Sequence, residues 1–324
     1  MPKILYLVVP CYNEEEVLLE AKEQLVNKLV KLIEINKINK KSRIVFVNDG
    51  SKDSTWELIR KFSEENEHIN GINLSRNRGH QNALLAGLLA VKDEADMVIS
   101  LDADLQDDIH AIDEMVDKYY AGAEIVYGVR AKRKKDTFFK RVSAESFYRL
   151  MDFLGANTVF NHADYRLMGS KSLTALEGFG EVNLFLRGII PLIGYRSDYV
   201  YYERKERFAG ESKYPLSKML AFAIEGITSL SIKPLRMISV LGLSIFAISI
   251  LYFFYIIFQY FTGNTIQGWS SVAASVWLMG GLILLSLSIV GEYIGKIYLE
   301  VKKRPRYIID GHLKGKKIKE EKKK

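Results

Sequence analysis

The sequence predicts an α/β fold, a mainly parallel sheet with helices on both faces, followed by a two-helix transmembrane hairpin. Two observations carry this reading. The first 130 residues alternate short apolar runs with helical patterns, as expected of strands joined by crossover helices. Farther on, no Asp, Glu, Lys or Arg occurs from Met237 to Gly291. That length holds two crossings of a bilayer core about 30 Å thick, at roughly 20 helical residues each.

The strands are predicted at Ile4 to Val9, Arg43 to Val47, Ile69 to Leu74, Met97 to Leu101 and Glu124 to Gly128. Helical patterns fill Glu14 to Ile35, Ser54 to Asn66, Gln81 to Lys92 and Ile109 to Ala121. The polar cluster Thr262-Gly263-Asn264-Thr265, with Gln267-Gly268, supplies the turn between spans predicted at Ile238 to Phe261 and Val272 to Tyr293. Soluble helices rarely run so far without a charged face. Between the sheet and the spans, Tyr214 to Ile232 is apolar on much of its surface and is flanked by Lys213 and Lys233, a pattern suited to a helix lying among lipid headgroups. Phe138-Phe139-Lys140-Arg141, with Phe147-Tyr148-Arg149, has the same character. The predicted organisation is a sheet domain over 1–212, a juxtamembrane interfacial helix region over 213–236, two transmembrane helices over 237–295 and a basic tail over 296–324.

Charge sets the orientation. Lys233 and Arg236 precede the first span, Lys296, Lys302, Lys303, Arg304 and Arg306 follow the second, and the turn has no basic residue. The positive-inside asymmetry places the sheet domain and both termini in the cytoplasm, as a multi-pass protein of the cell membrane. Met1 to Pro10 is too short for a signal peptide, with Glu14-Glu15-Glu16 following at once. The single cysteine, Cys11, excludes an internal disulfide and fits a reducing compartment. The net charge of +7 comes from the tail, which reads either as a contact with anionic headgroups or as a solvated extension. With basic charge confined there, nucleic-acid binding is discounted.

In a parallel sheet with helices on both faces, ligands bind beyond the carboxyl ends of the strands, and the chemistry-bearing residues stand there. Pro10-Cys11-Tyr12-Asn13-Glu14 follows the first strand, Asn48-Asp49-Gly50-Ser51 the second, and Asp102-Ala103-Asp104-Leu105-Gln106 the fourth. Asp53 or Ser54 reads as the N-cap of the next helix, which leaves Asp49 to accept hydrogen bonds from a nucleobase or ribose. Two carboxylates two residues apart at a strand exit can share a hard divalent cation, Mg²⁺ or Mn²⁺, with Gln106 as a further oxygen donor and a diphosphate completing the shell. No Gly-rich phosphate loop of the usual kinds is present, which excludes the common dehydrogenase and NTPase readings.

In order along the chain, Val9-Pro10-Cys11-Tyr12-Asn13-Glu14-Glu15, Val47-Asn48-Asp49-Gly50-Ser51, Leu74-Ser75-Arg76-Asn77, Asp102-Ala103-Asp104-Leu105-Gln106, Tyr127-Gly128-Val129-Arg130, Ala163-Asp164-Tyr165-Arg166-Leu167-Met168 and Arg207-Phe208-Ala209-Gly210-Glu211-Ser212-Lys213-Tyr214 resemble the inverting family 2 glycosyltransferases with the GT-A fold. The resemblance is to the polyprenyl-phosphate sugar synthases, such as the bactoprenol glucosyltransferases and dolichyl-phosphate mannose synthase. It implies transfer of one sugar from a nucleotide-sugar, UDP-glucose favoured over GDP-mannose, to a polyprenyl phosphate at the membrane surface, for cell-envelope glycosylation. It further implies that Pro10, Tyr12, Glu14 and Asp49 surround the base and ribose. Asp102, Ala103, Asp104 and Gln106 would hold metal and diphosphate, Arg130, Arg207 and Lys213 the phosphates, with Arg207 and Lys213 at the acceptor. Asp164 takes the acceptor-side carboxylate position, as a base or as an orienting group. A lipid phosphate is already ionised near neutral pH, which favours orientation. Without the Gln-x-x-Arg-Trp motif of processive synthases, one sugar is expected per lipid. A catalytically silent scaffold is the alternative from another class, and homo-oligomerisation is compatible with either.

Overall fold

The computed structural model describes residues 1–130, 162–182, 184–203, 233–261 and 268–316. They divide into two units. The first comprises 1–130, 162–203 (without 183) and 304–316, the second 233–261 and 268–303.

The first unit contains β1 (Leu5–Cys11), α1 (Leu18–Glu34), β2 (Arg43–Asn48), α2 (Thr55–Glu65), β3 (Ile69–Leu74), α3 (His80–Ala90), β4 (Met97–Ser100), α4 (Ala111–Tyr120) and β5 (Ile125–Arg130). After the undescribed 131–161 come β6 (His162–Gly169), α5 (Ser170–Glu177), α6 (Leu186–Leu192) and β7 (Ser197–Tyr202). The five predicted strands and four predicted helices are present with ends shifted by a few residues. The strands form one sheet in the order β7-β5-β6-β4-β1-β2-β3, extended at the β3 edge by a further strand, β8 (Ile309–Leu313). β1 is parallel to β2 and β4, and β2 to β3, while β6 runs antiparallel to both β4 and β5. The order therefore reverses at β1 and β4, the switch point where a doubly wound sheet opens its crevice.

The central strands are buried on both faces. Leu5, Leu7 and Val9 join Leu18, Leu25 and Leu29 of α1 and Ile59 of α2, whereas Val8, Val45 and Val47 face Ala83, Leu84 and Leu88 of α3. This two-sided burial explains why the strands read as continuous apolar runs. A Cβ on Gly87 of α3 would lie 2.4 Å from Val8 and 2.7 Å from Val47, so α3 rests directly on the sheet.

Part of the basic tail, read as a headgroup contact or a solvated extension, forms the edge strand β8 of the sheet. It pairs antiparallel with β3, and the chain beyond it stays attached: Gly315 N–H donates to Asn70 Oδ1 at 3.0 Å, and Lys316 N–H to the Ser63 carbonyl at 3.0 Å. The bare edge of β3 offers a row of unpaired N–H and C=O groups, and β8 covers them.

The second unit holds two long helices, α7 (Lys233–Phe261) and α8 (Trp269–Lys302). α8 runs past the predicted end of its span to Lys302. Among the described residues one stretch, Met279–Lys302, is long and apolar enough by length and composition to cross a membrane. Both helices expose large apolar side chains, among them Leu243, Leu251 and Phe258 on α7 and Ile283, Leu284 and Leu287 on α8. So many large apolar side chains exposed along two helices point to a membrane or partner face. The predicted interfacial segments at Phe138 to Arg149 and Tyr214 to Ile232, and the turn at 262–267, lie outside the described residues.

Candidate active site

Three chain segments reach the switch-point end of the sheet and carry acids. β1 ends at Cys11, β4 at Ser100, and antiparallel β6 begins there, with Arg166 paired to Ser100. This register places Asp164 beside the exit of β4, and the Ser100 hydroxyl donates to the Asp164 carbonyl.

The Asp102 segment is a tight turn. Ala103 is buried while Asp102 and Asp104 flank it partly exposed, and the Gln106 N–H donates to Asp104 Oδ1 at 3.2 Å. Leu105 takes φ 52°, a left-handed conformation unfavourable for a branched side chain and common at functional sites. Gln106 is buried. Burial, with the charges of Asp107, Asp164 and Asp104 against His80 alone, pushes the Asp102 carboxyl up to about 6.

Asp164 is surrounded by cations. Its Oδ1 accepts from Arg166 Nη2 and from Arg187 Nε at 3.3 Å, and its Oδ2 accepts from Arg187 Nη2 at 3.0 Å. His80 Nε2 stands 3.6 Å from Asp164 Oδ2 and 3.7 Å from Asp102 Oδ1, ion-pair separations rather than hydrogen bonds. Burial alone would raise the Asp164 carboxyl, but His80, Arg166 and Arg187 together hold it well below the usual carboxylate range. For His80, burial acting downward is outweighed by Asp164 and Asp102, and its pKa is raised. Arg166 is only 1 % exposed, and its Nε and Nη1 find no hydrogen-bond partner among the described residues.

The other expected residues distribute as follows. Arg130, at the end of β5, donates from Nη2 to Asp107 Oδ1 at 3.2 Å, and the Tyr202 hydroxyl donates to the same oxygen at 2.6 Å. Asp49 faces the chain: its carboxylate accepts the N–H groups of Arg78 at 2.7 Å and Gly79 at 2.9 Å. Its pKa is nevertheless raised, because burial outweighs those bonds. Tyr12 is exposed and lines an open hollow of about 430 Å³ together with Asn48, Gly50, Trp56, Asn73 and Arg76. Pro10 is buried within β1, and the Glu14 N–H donates to Thr55 Oγ1 at 3.0 Å. Ser54 is the N-cap residue of α2 and makes no side-chain capping bond, while Asp53 just before it accepts the Thr55 N–H at 3.1 Å. Arg207 and Lys213 lie outside the described residues.

His80 and Arg187 were not anticipated from the sequence. His80 follows β3 at the same end of the sheet, behind Asn77-Arg78-Gly79, and its position after a strand was the available signal. Arg187 had none, since α6 enters the site only through the fold. Among the described residues no group of three His, Cys, Asp or Glu side chains converges as a metal site. The arrangement is a set of carboxylates, Asp102 and Asp104, facing a cation-rich Asp164 corner. Two carboxylates in one turn can share a hard cation, whereas the corner formed by Arg166, Arg187 and His80 around Asp164 is rich in positive charge.

The chain matches Glycosyl transferase family 2 over residues 6–176. It is 53% identical over 307 residues to the uncharacterized glycosyltransferase YkoT of Bacillus subtilis (strain 168), a match covering 95% of this chain and 91% of that protein. To the bactoprenol glucosyl transferase of Shigella phage SfX it is 39% identical over 305 residues, covering 94% of this chain and 97% of that protein. A crystal structure of glucosyl-3-phosphoglycerate synthase from Mycobacterium tuberculosis, in complex with Mn²⁺, UDP and glucosyl-3-phosphoglycerate, superposes with a TM-score of 0.44 at 15% identity, over 70% of this chain and 78% of that one.

Proposed function

Because the chain belongs to glycosyl transferase family 2, we propose that it moves one sugar, glucose, from a UDP-sugar to a polyprenyl phosphate, with inversion at the anomeric carbon. The observation that carries the reading is the extent of the likeness to the bactoprenol glucosyl transferase. It runs over 94% of the chain, whereas the family match ends at residue 176, so it takes in the two apolar helices as well as the sheet.

The residues present fit a divalent cation. Asp102 and Asp104 supply two carboxylates beside a buried Gln106, and burial, with the neighbouring acids adding to it, pushes the Asp102 carboxyl up to about 6, a shift that a bound cation would oppose. A hard cation there, Mg²⁺ or Mn²⁺, would take its remaining ligands from the diphosphate and water and offset the charge growing on the leaving nucleotide. The hollow at Tyr12, Asn48 and Asn73 suits the base and ribose. Arg130, steadied by Asp107 and Tyr202, is assigned to the phosphates, with Arg207 and Lys213 at the acceptor.

Direct displacement needs an acceptor oxygen aimed at the anomeric carbon on the face opposite the diphosphate. A phosphate monoester, second pKa near 6, arrives largely ionised at neutral pH and gives up no essential proton. Asp164, held ionised by three cations, is accordingly given an orienting role.

Membrane attachment follows from the apolar helices, and the sheet supplies an argument for its geometry. The chain leaves the first unit before α7 and returns to the same sheet as β8 after α8. Two ends rooted in one domain require an even number of crossings, which supports two spans with both flanks on one side of the membrane, and the basic flanks argue for the cytoplasmic side. The test of function is direct. Purified protein with undecaprenyl phosphate and labelled UDP-glucose should form a lipid-phosphate glucose, with GDP-mannose a poor donor. Absence of lipid-linked product from every nucleotide-sugar supplied would overturn the reading.

A further inference from the structure

Residues 78–81 bind together parts of the site that are remote in sequence. Gly79 and Arg78 donate backbone N–H groups to Asp49, at the end of β2. Gln81 Oε1 accepts the Leu186 N–H at 2.8 Å, one residue before Arg187. Between them His80, the first residue of α3, places Nε2 3.7 Å from Asp102 and 3.6 Å from Asp164. α3 itself cannot slide easily, because Gly87 lies against Val8 and Val47.

The His80 side chain reaches the surface, 43% exposed, while its ring is partly desolvated among charged neighbours, so charge as well as packing defines its place. Beside it stand Asp102, in the turn after β4, and Asp164 of β6, with Arg187 on Asp164 close by; a polar or positive group between the two carboxylates offsets what remains of their mutual repulsion. We infer that His80 is a positioning residue that sets the spacing between Asp102, on the leaving-group side, and Asp164, on the acceptor side. The inference rests on the glycosyl-transfer reading for the meaning of those two sides. Through Asp49 and Gln81 the same short segment links the nucleotide hollow to the Arg187 corner, so donor placement and acceptor placement share one rigid element.

The test compares His80→Leu, which fills the space and cannot donate, with His80→Gln, which can. The full-length protein in detergent is used. Transfer by His80→Leu should fall about 10- to 100-fold in kcat while calorimetric affinity for UDP with Mn²⁺ stays within about threefold, the split expected of an interaction made at the transition state. His80→Gln should recover most of that loss. Unchanged kcat in His80→Leu, or a loss of UDP affinity in proportion to kcat, or no recovery in His80→Gln, would each overturn the role. A readout free of any acceptor keeps this separate from the proposed function. The melting-temperature changes of His80→Leu and Asp164→Asn should be non-additive when combined, as for groups in contact. Additive changes would sink the inference even if glucosyl transfer is confirmed. Non-additive changes would support it even if the acceptor proves not to be a polyprenyl phosphate.

Discussion

A carboxylate bracketed by two guanidinium groups and an imidazole binds protons poorly, and that is the situation of Asp164. A depressed acid is ionised at every pH above its ordinary value near 4, so it does not titrate between pH 6 and 8. Its stabilising effect is fully present in that window and is lost only on acidification through the depressed pKa. Asp164→Asn should therefore lower transfer by roughly 100-fold or more, the loss expected when an essential polar group is removed. Its pH–rate profile from 6 to 8 should run parallel to that of the wild type. A steep recovery of the variant with rising pH would show that Asp164 acts as a base. The substitution also leaves Arg166, 1 % exposed, without its counter-charge, so a lower melting temperature is expected alongside. Asp104 offers a second test at this scale. Mn²⁺ should raise the melting temperature of the wild type and not of Asp104→Asn, since a ligand stabilises only the state that binds it. Excess chelator should abolish transfer, and full turnover in its presence would refute the cation site.

Loops at the strand ends carry the site, and Gly50 shows how tightly one of them is built. It sits at φ 64°, and a Cβ there would lie 2.5 Å from both Arg76 C and Asn77 N. Gly50→Ala should cost about 1–3 kcal/mol in strain and weaken UDP binding by deforming the hollow that Gly50 and Arg76 line. Melting and UDP titration check both, and an unshifted Tm would mean the loop relaxes freely. The elements of the sheet were legible because a strand buried on both faces leaves an apolar run, as in Met97-Val98-Ile99, and because such runs alternate with helical patterns. Asp102 and Asp104 were legible for the same reason, standing just past a run. β8 was not. Ile309-Asp310-Gly311-His312-Leu313 is short, polar and broken by glycine, and only the open edge of β3, remote in sequence, makes it a strand. Asp49 was expected to meet a nucleobase or ribose, but its carboxylate accepts N–H groups of Arg78 and Gly79, about thirty residues along the chain. Arg187 enters on α6 through long-range packing that no local pattern encodes.

At the scale of the whole chain the decisive feature is the return of the C-terminus to the sheet. β8 and the bonds from Asn73 Nδ2 to Asp310 Oδ2 at 3.2 Å and from Lys314 to Glu94 at 3.0 Å hold residues past α8 in the same unit as β1 and β2. Whatever the membrane does with α7 and α8, residues 51 and 311 must then lie on one side of it. The proposed cytoplasmic side rests on the basic residues flanking the helices, Lys233 and Arg236 before and Lys302 to Arg306 after. Single cysteines test this against a quiet background, because Cys11 is buried and burial pushes its thiol well above the ordinary range. In intact cells, Ser51→Cys and Lys317→Cys should be protected from a membrane-impermeant thiol reagent, whereas Asn264→Cys, in the turn between the helices, should be labelled. Permeabilisation should expose the first two. If all three were protected until permeabilisation, the hairpin would not cross, and α7 and α8 would have to lie along the inner surface. If Ser51→Cys reacted from outside, the orientation would be reversed and a cytoplasmic donor could not reach Asp102. If Ser51→Cys and Lys317→Cys behaved oppositely, the crossing number would be odd, and β8 could not remain in the sheet.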